Sequence, residues 1–252
     1  MTDMFCDEAK LPSEKHNAES LDDPNSALFD RHANSYSSEL GKAIQFSGKD
    51  SDFFSNAKGD LLKRLLRRLG ISTPTRTLDV GCGTGSLHSK LKTAGMQVSG
   101  VDLSNASLLL AKSFNPEIEY TLFDGVRLPF QDESFDAALA VCVFHHVDIN
   151  KREKLLAEMA RSVRKGGVLF IIEHNPINPL TRLVVSRCAY DETAVLLPAK
   201  ETRSLMRCVG LVDISTVYFL FFPFDLLWLQ ALERRIERLP IGAQYCTYGI
   251  KK

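Results

Sequence analysis

The 252 residues carry 44% apolar and 25% charged side chains, an ordinary globular composition with enough chain to bury a sizeable core. Thirty-one basic residues balance thirty-one acidic ones, so the whole molecule has no net field with which to gather the phosphates of DNA, RNA or an anionic membrane. The balance is uneven: Met1 to Pro24 holds seven acids against Lys10 and Lys15, a stretch at −5 that leaves the remainder at +5.

Residues 1–25 are acidic and poor in apolar side chains, so they read as a disordered tail. With neither a basic start nor a continuous apolar stretch, they do not read as a secretory leader. The six cysteines (Cys6, Cys82, Cys142, Cys188, Cys208, Cys246) are scattered, without a CxxC. Reduced thiols in a cytoplasmic protein and no metal site are the expectation. The longest apolar run, Val217 to Phe222, meets Pro223 and Asp225 well before the roughly 20 residues of a membrane span.

In chain order, residues 26–56 supply helical turns with apolar Leu28, Phe29, Tyr36, Leu40 and Ile44, interrupted at Ser47-Gly48-Lys49-Asp50. Ala57 to Leu69 is a cleaner helix, with leucines 61, 62, 65, 66 and 69 on one face and Gly70 at its end. Thr77 to Val80, Gln97 to Val101, Ile118 to Leu122, Phe135 to Val143 and Val168 to Ile172 then read as strands. Helices over Gly85 to Thr93, Ser104 to Ser113 and Lys151 to Val163 separate them, the last burying Leu155, Leu156, Met159 and Val163. Strands joined by crossover helices imply an α/β fold, a mostly parallel sheet with helices on both faces. The last third changes rhythm: helices at Leu180 to Arg187 and Ala199 to Val209, a strand Val212 to Phe222, a helix Leu226 to Leu239 and a strand Tyr245 to Ile250. The final strands are expected to close the sheet as an antiparallel edge pair.

The segment Thr77-Leu78-Asp79-Val80-Gly81-Cys82-Gly83-Thr84-Gly85-Ser86-Leu87 runs from strand to glycine turn to helix. Alternate glycines let the backbone approach a ligand closely. Asp102, at the end of the next strand, is placed to hold two ribose hydroxyls. Together they indicate a nucleoside-bearing cofactor. A dinucleotide turn would want glycine at position 86, where Ser86 stands, and Asp79 would repel a pyrophosphate while suiting a cationic ligand.

These features, with Phe123-Asp124-Gly125, Phe135-Asp136 and Val163-Arg164-Lys165-Gly166-Gly167, resemble the successive motifs of class I S-adenosylmethionine-dependent methyltransferases over about Leu61 to Lys252. The resemblance implies a Rossmann-like, doubly wound seven-stranded sheet in the order 3-2-1-4-5-7-6. It also implies a domain over 57–252 preceded by lid helices at 26–56. By the same resemblance Asp79 and the turn of Gly81, Cys82, Gly83 and Gly85 hold the methionine portion, Asp102 the ribose, and Asp124 with Gly125 the adenine. Leu103 and Val141 complete that cofactor set. Val143 to Val147, Phe170 to Pro179 and Leu239 to Tyr245 are similar to a bacterial small-molecule branch, of the type 11/12 kind.

His145 and His146 follow the carboxyl end of a strand, where ligands gather in open parallel sheets. Neighbours along a strand point to opposite sides, so at most one of the two is expected to face the site. Glu173 and His174 occupy the matching place after the next strand, and all four are candidate general bases. Tyr36, as a lid residue, Asn175 and Tyr218 are candidates for the acceptor side.

The expectation is in-line transfer of a methyl group to an O or N of a small-molecule acceptor, apolar or of the envelope or natural-product kind, with no DNA partner, RNA as the poorer bet, and no metal. The aromatic segment 217–228 is compatible with an apolar acceptor or peripheral membrane contact. Two alternatives stand beside it: an RNA-modifying enzyme of the same superfamily, and a non-catalytic nucleoside-binding regulator. Oligomeric state is left open.

Overall fold

The computed structural model describes residues 50–188, 191, 194–222 and 226–252. The acidic tail, residues 26–49 of the expected lid and Tyr36 lie outside the described residues. The first described helix, α1 (Ser51–Arg68), begins six residues before the expected start because Asp50 caps it, accepting from the Phe53 amide at 3.0 Å. Its Leu61, Leu62, Leu65 and Leu66 are buried, as their helical spacing requires.

Thereafter β1 (Thr75–Val80), α2 (His88–Thr93), β2 (Met96–Asp102), α3 (Asn105–Phe114), β3 (Glu119–Leu122) and β4 (Phe135–Val141) follow. They are succeeded by α4 (Ile149–Ser162), β5 (Val163–His174), α5 (Pro179–Val185), α6 (Ala199–Cys208), β6 (Leu211–Phe219), α7 (Leu227–Ile236) and β7 (Gln244–Lys251). The sheet order is β3-β2-β1-β4-β5-β7-β6, with β1 to β5 parallel and β7 antiparallel to both its neighbours. This is the order the resemblance implies. The closing strands form the expected antiparallel pair at one side of the sheet, with β6 outermost and β7 inside it, its residues Gln244 to Gly249 buried.

Strand alternation builds a core on each face of the sheet. Leu169 and Ile171 of β5 join Leu78 and Val80, with Leu155, Leu156 and Met159 of α4 and Met206 of α6 covering them. Val168, Phe170 and Ile172 of the same strand join Leu139 and Tyr248, covered by the leucines of α1 and by Leu91 of α2.

Several element ends differ from the sequence reading, each for a local backbone reason. Helix α2 starts at His88 rather than Gly85, because residues through Leu87 remain in the glycine turn. Val163 opens β5 rather than closing α4, and the register shifts between Phe135/Val163 and Ala137/Val168. The bulge holds Gly167, where a Cβ would come within 2.6 Å of the Asp136 carbonyl oxygen. Strand β4 stops at Val141 because Cys142 takes a positive φ of 58°, and β6 stops at Phe219 because Leu220 does the same.

Candidate active site

The carboxyl ends of β1, β2, β4 and β5 open on one edge of the sheet, and the loops leaving them carry most of the predicted site. Gly83 (φ 53°) has open space where a Cβ would stand, whereas a Cβ on Gly85 (φ 68°) would lie 2.7 Å from the Tyr120 hydroxyl. The turn is held by its own amides. Gly81 and Cys82 donate to the Val101 carbonyl at 2.8 and 3.0 Å, and Gly83 donates to Asp102 Oδ2 at 2.8 Å. These three donors are thus engaged inside the protein, and the turn offers a ligand shape more than free N–H groups.

Asp102, buried at the end of β2, accepts from Gly83 and, through Oδ1, from the Ser104 amide at 2.9 Å. Burial raises its carboxyl pKa, and those amides oppose the rise. Asp79 is also buried; its Oδ2 meets His88 Nε2 at 2.9 Å, and its Oδ1 has no hydrogen-bond partner. His88 continues to the Tyr120 hydroxyl at 2.6 Å, a buried chain behind the glycine turn that the sequence reading did not single out. Burial, together with the charges of Asp79 and Asp102, pushes the Cys82 thiol well up. Two carboxylates therefore line this end of the cleft.

Asp124 is exposed and accepts from the Val126 and Arg127 amides at 2.8 and 3.0 Å, an Asx turn that fixes the loop around Gly125. Leu103 packs against the core on one face and Val141 against the core on the other. The Val143 side chain lies against Gly81, where a Cβ would meet it at 2.6 Å. The glycine turn thus adjoins the turn that carries the two histidines.

Those histidines correct the expectation that they point apart. Strand alternation ends at Val141, so His145 and His146 sit on a turn, and both place Nε2 3.3 Å from Asp191 Oδ1. Their ring centroids are 4.1 Å apart, and His174 lies 5.3 Å from His145. Glu173, fully buried, accepts from the Phe144 amide at 2.7 Å and meets His145 Nδ1 at 2.6 Å. Asp191 was not predicted; 46 residues separate it from His145, and nothing in its local sequence marks it.

Burial alone would lower the His145 pKa, but Glu173 and Asp191 prevail and push it up to about 10. Burial would raise Glu173 and Asp191, yet the imidazoles hold both below the usual carboxylate range. Burial and the neighbouring His145 lower His174 to about 4, and burial also lowers His146 against the pull of Asp191.

Asn175 turns inward. Its amide donates to the carbonyls of Pro240 and Gly242 at 3.0 and 2.7 Å, and its oxygen accepts from the Ile177 amide at 3.2 Å. It clamps the loop before β7. Tyr218 is buried in β6 beside Tyr245. Around the clamped loop Ile177, Leu180 and Ile241 are exposed, Asn178 Nδ2 reaching the Ile241 carbonyl at 2.8 Å.

A family model described as a methyltransferase domain matches residues 78–171. A demethylmenaquinone methyltransferase of Renibacterium salmoninarum is 36% identical over 132 residues, covering 51% of this chain and 52% of that protein. The chain spans about half the length of the demethylmenaquinone methyltransferases and the Streptomyces halstedii methyltransferase that it matches. A solved S-adenosylmethionine-dependent methyltransferase from Thermotoga maritima superposes with a TM-score of 0.66 at 24% identity, over 90% of this chain and all of that one. The Haemonchus contortus phosphoethanolamine N-methyltransferase 2, solved with S-adenosylmethionine, gives 0.60 at 18% identity over 90% of this chain and 60% of that one. Both structural likenesses establish a shared fold.

Proposed function

We propose, from the premise that this chain belongs to the class I S-adenosylmethionine-dependent methyltransferases, that it transfers a methyl group from that cofactor to an oxygen or nitrogen of a small-molecule acceptor. The observation that carries the reading is the pair of buried carboxylates at the glycine turn. Asp79 keeps one oxygen without a hydrogen-bond partner, which the ammonium or sulfonium of the cofactor would answer, and Asp102 stands where the ribose would lie. Open space at Gly83 lets the ligand come close to the backbone. Asp124 and Gly125 would shape the adenine end, with Leu103 and Val141 as apolar walls.

When bound, S-adenosylmethionine supplies a methyl group already activated by the positive sulfur. The protein's task is then to align the acceptor and exclude water, worth about 7 to 11 kcal/mol when the geometry is right. The acceptor is placed over the turn after β4, against His146, whose side chain is more exposed than those of His145 and Glu173. Glu173 acts as a positioning residue through His145, and His174 packs behind them. The exposed apolar edge at Ile177, Leu180 and Ile241 favours an apolar acceptor or a peripheral contact with a membrane surface. The R. salmoninarum relative, named for a quinone substrate, supports an apolar acceptor. No helix among the described residues is long and apolar enough to cross a membrane.

Calorimetry with S-adenosylhomocysteine tests the cofactor site. Asp79→Ala and Asp102→Ala are each expected to weaken binding about tenfold or more, roughly 1.4 kcal/mol. Equal affinities in wild type and both variants would overturn it.

A further inference from the structure

We infer that His145, His146 and Asp191 form a site for one divalent transition-metal ion of the zinc type, open on the acceptor side of the cleft. Each of the three residues offers a ligand atom within 4.8 Å of the other two, and both Nε2 atoms lie 3.3 Å from Asp191 Oδ1. A tetrahedral ion with bonds of about 2.0 to 2.1 Å sets its ligand atoms about 3.3 Å apart. A charge-assisted hydrogen bond between an imidazole and a carboxylate would close to about 2.7 to 2.9 Å. The separations therefore fit two ligands of a shared ion better than two donors on a shared oxygen.

The surroundings agree. Glu173, fully buried, meets His145 Nδ1 at 2.6 Å, which fixes the ring so that Nε2 is the nitrogen turned to the site. A carboxylate behind a histidine ligand is the arrangement that orients metal-bound imidazoles and raises their basicity. Three protein ligands leave a fourth position vacant, as sites that act on a substrate require. Two imidazoles with one carboxylate favour zinc, ferrous iron or cobalt over magnesium or calcium, which prefer oxygen ligands. The position follows β4 directly, and Val143 joins it to the glycine turn. The sequence reading expected no metal because the third ligand lies 46 residues from His145.

The vacant position would take an acceptor oxygen, and a coordinated hydroxyl would release its proton to solvent, leaving the oxygen nucleophilic. That use of the ion rests on the methyl-transfer reading; the binding of the ion does not. The full chain, stripped with chelator and dialysed, would be titrated with cobalt(II) and with zinc(II), following visible ligand-field absorption and calorimetry. One equivalent of cobalt with a spectrum of tetrahedral intensity, displaced by zinc, is expected. Asp191→Asn and His146→Ala should each lose at least tenfold in affinity, and Glu173→Gln should lose about 10- to 100-fold. Circular dichroism and S-adenosylhomocysteine affinity serve as controls on folding and on the separate cofactor site. Failure to bind cobalt or zinc, or wild-type affinity in folded Asp191→Asn and His146→Ala, would overturn the metal site. Retained S-adenosylhomocysteine binding in that event would leave the methyltransferase reading standing.

Discussion

Asp102 carries two loads with one carboxylate: it braces the glycine turn through Gly83 and faces the place assigned to the ribose. Only its charged form accepts from both amides and from ribose hydroxyls. Because burial raises its pKa, protonation on acidification begins at a higher pH than for a free carboxylate. Affinity for S-adenosylhomocysteine, followed by calorimetry, should therefore fall on acidification from a higher pH than an ordinary carboxylate would set, while Asp102→Asn should be weak and flatter across the same range. Gly85 is a second residue with a sharp expectation. Alanine there must hold a φ of 68° with its Cβ 2.7 Å from the Tyr120 hydroxyl, so Gly85→Ala should destabilise by about 1 to 3 kcal/mol in urea unfolding. Asp79 and the glycines were legible in the sequence because they lie in one short run of strand, turn and helix, and Asp102 because it ends the very next strand. Asp191 and His88 were not. Each meets its partner only through a contact made by the folded chain, Asp191 with His145, 46 positions away, and His88 by turning back onto Asp79.

Asp136 is the joint between β1, β4 and β5. From β4 it accepts from the Arg76 amide at 3.0 Å and from Arg164 Nε, beside the β5 bulge, at 2.8 Å. Burial would raise its pKa, but the guanidinium groups of Arg164 and Arg76 win and hold it at about 2. A carboxyl depressed in the folded state contributes stability above its unfolded value of about 3.9 and loses it as the pH falls through the folded one. Urea unfolding should show Asp136→Asn less stable than wild type at pH 6, by about 1 kcal/mol or less at so accessible a site, with the gap closing between about pH 4 and pH 2. The same joint shows why element ends were harder to read than element centres. Apolar spacing assigned Val163 to a helix, since a buried valine satisfies either pattern. The register shift that makes it a strand residue depends on Gly167 passing close to the Asp136 carbonyl, a contact across strands.

At the scale of the molecule, alternation of strands and helices was enough to indicate a parallel sheet covered on both faces. The placement of β7 was not available from that pattern and came from the family resemblance. Its neighbours in space are β5, about 70 residues earlier in the chain, and β6, reached across α7, and no local periodicity encodes such a choice. β7 forms seven paired positions with β5, from Val168↔Ile250 to His174↔Gln244, and pairs with β6 on its other side. Deleting residues 244–252 should therefore abolish cooperative unfolding and send the protein to the insoluble fraction, as judged by thermal melts and sedimentation. A soluble truncation with an unchanged melting curve would contradict this.

The interior seat of β7 also imposes a timetable. Of the seven strands it is synthesised last, yet two strands made before it need it as a partner. While a nascent chain waits, β5 and β6 each present a row of unanswered amides and carbonyls flanked by apolar side chains, the kind of surface on which one unfinished molecule adds to another. Yield of active protein should accordingly be governed by how long that interval lasts and by what shields it. Slower translation ahead of residue 244 would favour loss to aggregates, and holdase chaperones would favour recovery.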